Sequence, residues 1–98
     1  MRYVVKFEDN EEYSGKRQEF MQEHLKFLES KSLAIQHAGP MFDANTGANA
    51  GGMWIVEAPN RDDVQGLIEA DPFYPTGLRK HISINEWKLV FENGATVK

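Results

Sequence analysis

"SLAIQHAGPMFDANTGANAGGMWIVEA", residues 32–58, decides the fold, because it places two strands in succession between two helical stretches. Its first part, "SLAIQHAGP" (32–40), reads as a short strand ended by Gly39 and Pro40. Residues 41–51 are rich in Gly, Asn and Ala and read as a connection, after which "GMWIVEA" (52–58) is a compact apolar strand stopped by Pro59. Toward the N-terminus, Phe20, Met21, Leu25 and Leu28, with Phe27 beside them, recur close to i, i+3, i+4, i+7. That spacing predicts one helix beginning near Gly15 or Lys16 and running to about Lys31. A polar loop over 8–14 precedes it. Before the loop, residues 2–7 alternate Tyr3, Val5 and Phe7 against Arg2, Val4 and Lys6, as a strand with one apolar face does.

Toward the C-terminus, Asn60 followed by Asp63 predicts an N-cap and acidic first turn for a second helix carrying Val64, Leu67 and Ile68. "HISINEWKLVF" (81–91) reads as the last strand. In it Ile82 and Ile84 share one parity while Trp87, Leu89 and Phe91 share the other, which predicts a bulge near Asn85 or Glu86, or a strand crossing between two partners. The tail beyond Phe91 is short and polar and carries no signal. The order is therefore β-α-β-β-α-β: an α+β, ferredoxin-like domain spanning 1–98, a four-stranded antiparallel sheet with two helices on one face. The sheet's other face must be covered. In a chain of 98 residues without cysteine a second copy is the simplest cover, so a homodimer is expected.

Bulk properties remove several function classes. A chain 41% hydrophobic and 27% charged has the composition of a folded domain. Zero cysteines exclude thiol catalysis, disulfides and cysteine-bearing zinc sites. A formal net charge of -4 with scattered Lys and Arg argues against a nucleic-acid partner. No apolar run approaches the roughly 20 residues of a membrane span, and the opening "MRYVVKFEDN" turns charged too soon for a signal peptide, so the expected location is cytoplasmic. His24, His37 and His81 stand far apart with no recognised metal-motif spacing, and "NTGANAGG" (45–52) opens a strand rather than a helix and lacks the lysine of a phosphate loop.

The chemistry gathers around "EADPFYPTGL" (69–78). Asp71 precedes Pro72 and so leaves the helical region at the end of the second helix, which alone explains the motif as helix termination. His24 falls inside the apolar stripe of the first helix, where an imidazole needs a hydrogen-bond partner. Two helices side by side on one sheet face would let Asp71 approach His24 and orient its ring. Arg17, seven residues earlier and two helical turns away, reads either as a surface charge or as a clamp for an anionic group.

Taken together, Arg17, "HL" at His24 and Leu25, "AGP" at 38–40, Gly51 and Gly52, "DPF" at 71–73, "GL" at 77–78 and Trp87 occur in an order that resembles the YCII-related domain family, within the dimeric α+β barrel superfamily. The resemblance implies a protomer that dimerises through its sheet and a catalytic pair, His24 and Asp71, that works without a cofactor or metal. Some relatives are enzymes that dehydrochlorinate chlorinated hydroquinones, and the wider superfamily includes muconolactone isomerases. The functional expectation is general acid–base chemistry, an elimination or isomerisation, on a small cyclic or aromatic compound, with an anionic ligand as the partner Arg17 would fit. Arg17, Phe73, Tyr74 and Met41 are the candidate substrate contacts. One rival is a non-catalytic binding or interaction module whose His24–Asp71 pair holds the two helices together. Another is cofactor-free oxidation of quinols, although Trp54 and Trp87 read first as core or dimer-interface anchors.

Overall fold

The computed structural model describes residues 1–97. Its main sheet has the order β2-β3-β1-β4, formed by β1 (Arg2–Asp9), β2 (Ile35–Phe42), β3 (Asn49–Glu57) and β4 (Arg79–Glu86). All three pairings are antiparallel. Helices α1 (Gly15–Glu19) and α2 (Met21–Ser30) carry the chain from β1 to β2, and α3 (Arg61–Ala70) carries it from β3 to β4. Because β3 lies between β1 and β2, and β1 between β3 and β4, the two crossovers interlock as split βαβ units, the ferredoxin-like α+β arrangement.

The alternation in β1 sends Tyr3, Val5 and Phe7 to one face, where they meet Trp54 and Val56 of β3 and Val64 and Ile68 of α3. Val5, Val56, Val64 and Ile68 are fully buried. Each contributes about 1.5–3 kcal/mol by leaving water, against roughly 0–1 kcal/mol for an exposed pair such as Lys16–Glu19. The core between sheet and helices therefore holds the fold. Asn60 caps α3 as anticipated, its side chain accepting from the Asp63 backbone N–H at 2.8 Å.

Several boundaries differ from the sequence expectation, each for a physical reason. The single helix over 15–31 is two helices, interrupted at Phe20, whose φ of −105° and ψ of 11° leave the helical region. Strand β2 does not end at Gly39 and Pro40 but runs through them to Phe42; β2 is an edge strand, so the missing N–H of Pro40 breaks no ladder bond. Strand β1 extends into the predicted loop as far as Asp9, and Glu11–Tyr13 form a 3-10 turn. No bulge occurs at Asn85 or Glu86. The change of parity there marks the end of β4, and the register shift lies at the other end, where Glu8 faces His81 but Asp9 faces Arg79. The tail is also structured: β5 (Phe91–Glu92) and β6 (Ala95–Thr96) pair across Asn93 and Gly94, both at positive φ, the Asn-Gly signal of a tight hairpin. Among the described residues no helix is long and apolar enough to cross a membrane.

Candidate active site

The turn after α3 aims a carboxylate inward. Asp71 adopts an extended φ/ψ before Pro72, and its Oδ1 accepts the Phe73 backbone N–H at 3.0 Å, while its carbonyl accepts the Tyr74 N–H at 2.8 Å. A short 3-10 turn (Tyr74–Thr76) and Gly77 at φ 80° return the chain to buried Leu78, whose carbonyl accepts the Asn10 N–H at 2.6 Å. The result is a locked loop with Asp71 1% exposed at its base.

His24, 7% exposed, comes to meet it from the middle of α2. Its ring stacks on Phe73 with centroids 4.1 Å apart and an interplanar angle of 17°. Nδ1 lies 2.9 Å from Asp71 Oδ1. A carboxylate can only accept, so Nδ1 carries the proton and donates it, and the tautomer of the neutral ring leaves a lone pair on Nε2. Nε2 has no hydrogen-bond partner among the described residues and is not sealed from solvent. His24 lines a hollow of about 100 Å³, walled by Met21, Leu28, Pro40 and Trp54, with Arg17 and Arg79 on its border.

Arg79 is the member of this cluster that sequence reasoning missed. Its guanidinium lies 3.0 Å from Asp71 Oδ2 with a side chain only 4% exposed. The two atoms face each other as charges without the alignment of a hydrogen bond. Extending the alternation of Ile82 and Ile84 backward would point Lys80 toward the helices. The register shift makes Lys80 the extra residue and turns Arg79 inward instead, beside Asp9. Its charge rests on aromatic faces, 3.8 Å from the Phe7 ring centroid, 5.2 Å from Trp54 and 5.4 Å from Phe73.

Burial pushes the Asp71 carboxyl up, but the His24 hydrogen bond, the Arg79 charge and the Phe73 N–H together outweigh burial and hold it below the usual carboxylate range. Asp71 is thus ionised at neutral pH. Burial likewise pulls Arg79 down, opposed by Asp71 and aided by the nearby Arg17 charge. Among the described residues no group of three His, Asp or Glu side chains is gathered to hold a metal ion.

The other anticipated contacts divide. Arg17 borders the hollow, although the break at Phe20 places it on a separate helix from His24, and its Nη2 is held by Asp9 Oδ2 at 2.7 Å. Phe73 is fully buried behind the imidazole, as a platform rather than a wall. Tyr74 is 43% exposed on the 3-10 turn and does not line the hollow. Met41, drawn into β2 by its continuation past Pro40, lines a different depression with Lys6, Glu8, His81 and Ser83 on the opposite sheet face. Trp54 is core, while Trp87 is 41% exposed.

Fold and site together define a class: a small ferredoxin-like α+β domain with a buried His–Asp–Arg cluster at the edge of a hollow. The sequence matches the YCII-related domain over residues 1–88, and the chain belongs to that family. Among solved structures it is similar to 5-chloro-2-hydroxyhydroquinone dehydrochlorinase from Burkholderia phenoliruptrix AC1100, in complex with 2,5-dihydroxybenzoquinone, with 30% identity and a TM-score of 0.79 over 90% of this chain and 94% of that one. A protein from Arabidopsis thaliana matches with 14% identity and a TM-score of 0.47 over 90% of this chain and 93% of that one, a likeness too slight to bear on fold or site. Among curated proteins no match is found.

Proposed function

We propose that this chain is a small-molecule lyase in which His24 serves as general acid–base on a small cyclic or aromatic compound and Asp71 holds its tautomer and orientation. The observation that carries this reading is that the imidazole commits Nδ1 to a sealed carboxylate, leaves Nε2 without a partner among the described residues, and belongs to a residue that lines a hollow. Loss of HCl from a chlorinated hydroquinone needs two proton movements: His24 takes a hydroxyl proton and the chlorine-bearing ring carbon gains one, giving a keto tautomer, after which loss of a second hydroxyl proton expels chloride with its bonding pair and leaves a hydroxyquinone; Nε2 is the base. Similarity to a dehydrochlorinase along nearly the whole chain favours elimination over isomerisation. Arg17 supplies a charged wall of the site, and no cofactor is required. A pocket for a whole ligand is generally larger than the hollow of one protomer. A homodimer packed through the open sheet face completes the assembly in this proposal.

Chloride release tests it. The wild-type chain is expected to liberate chloride stoichiometrically from 5-chloro-2-hydroxyhydroquinone and none from its fully O-methylated ether, which has no hydroxyl proton to give up. Absence of release from the free hydroquinone would overturn the elimination reading. The rival reading, a binding module with a structural pair, has the tight burial of His24 in its favour. It predicts saturable binding of such rings with no chloride released.

A further inference from the structure

The geometry points to Arg79 as the receptor for an anionic oxygen of the substrate, so that the site takes a small planar anion, a phenolate, enolate or carboxylate attached to a ring, with that oxygen on the guanidinium and the ring against the apolar walls. This deepens the function proposed above and rests on it for the location of the site. The argument begins with donors. A guanidinium has five N–H donors in a fixed fork. Among the described residues none of those on Arg79 is in an aligned hydrogen bond: Nε is sealed without a partner, Nη1 is sealed against Asp71 Oδ2 at 3.0 Å as a charge contact, and Nη2 is the nitrogen not sealed, on a residue that borders the hollow. The cation is held instead by its faces, through Phe7, Trp54 and Phe73, and face contacts spend no donors.

Charge pairing singles out the same residue. Arg17 has Asp9 at 2.7 Å in an aligned bond. Asp71 is shared, with Oδ1 taken by His24 and the Phe73 N–H, and only a misaligned Oδ2 left for Arg79. Asp71 and Asp9 balance the charge of Arg79, while its Nη2 keeps no aligned hydrogen bond among the described residues, so an arriving anion would meet that donor already in place. His24 and Arg79 line the same hollow, so a ring whose oxygen rests on the guanidinium shares that space with the imidazole. Arg79 would then select the substrates whose proton His24 moves.

Benzoate and benzamide, nearly equal in shape and differing in charge, test this by NMR titration without any need for turnover. Wild-type protein is expected to bind benzoate at least tenfold tighter than benzamide, with the Arg79 Nε–H resonance moving on benzoate addition. Arg79→Met should bind the two equally. That variant leaves Asp71 without its cation and can fail to fold, so the double variant Arg79→Met/Asp71→Asn, which restores the charge balance, is read beside it; it too should show no preference, whereas Asp71→Asn alone and Arg17→Met should keep it. Equal binding by wild type, or a preference that survives in both Arg79 variants, overturns the inference. Those outcomes leave the His24 reading standing, because His24→Gln is expected to lose chloride release while keeping the benzoate preference.

Discussion

Asp71 concentrates three duties in one carboxylate: it accepts from His24, accepts from the Phe73 N–H and faces Arg79. Its folded pKa lies below the unfolded value of about 3.9. Between those two values the unfolded chain binds a proton that the folded chain does not, so the contribution to stability is complete above about pH 5 and is lost as pH falls through the depressed folded value. Urea midpoints of the wild type should therefore drop steeply below about pH 4. Asp71→Asn should be flatter over that range and about 3–5 kcal/mol less stable at pH 7, because Arg79 is left as an uncompensated buried charge. Asp43, also held below its usual range, by the backbone N–H groups of Thr46 and Asn45, contributes equally to both proteins and cancels. Parallel midpoint curves would refute the assignment. At this scale the meeting of His24 and Asp71 was legible, since a break before Pro72 and two helices on one face bring them within reach. Arg79 was not, because a one-residue bulge reverses the parity on which the inward list depends.

Two glycines show how differently the elements use the residue. Gly51, at φ 89°, stands where an added Cβ would lie 1.8 Å from the Phe7 carbonyl oxygen, at the point where β3 closes on β1. Gly51→Ala should cost more than about 2 kcal/mol, by the strain of a side chain at positive φ together with the backbone clash, and denaturant unfolding measures it. Gly66 lies within α3 with nothing within 4 Å of its missing Cβ. Gly66→Ala should stabilise by about 0.5–1 kcal/mol, and a loss of stability would contradict the helix placement. The strand and helix identities were legible because their apolar residues recur at period 2 or 3.6. The boundaries were less so: Pro40 signals an end only in an interior strand, and β2 is at the edge; Phe20 carries no breaker chemistry at all; and Asn93-Gly94 was passed over as polar tail.

Across the whole molecule the sheet is two-sided, with one face covered by helices and the other presenting half-buried Val4, Met53 and Ile55, the last beside Trp87, Leu89 and Phe91 of the C-terminal segment. If that face is the dimer seam proposed above, sedimentation equilibrium should return twice the chain mass, and Ile55→Lys should return the single mass with unchanged secondary structure; a wild-type monomer would sink it. The helical face holds the hollow beside His24, which Met41 and Tyr74 do not line because one belongs to the opposite sheet face and the other to an exposed turn. What remains is an imidazole anchored at one nitrogen, on a residue that lines a hollow. The rate of chloride release from 5-chloro-2-hydroxyhydroquinone by His24→Gln, compared with wild type at equal folded fraction, tests that arrangement most directly. A fall of roughly 10²–10⁴-fold, the usual contribution of a general acid–base group, is the predicted result, and a rate equal to wild type would contradict the account.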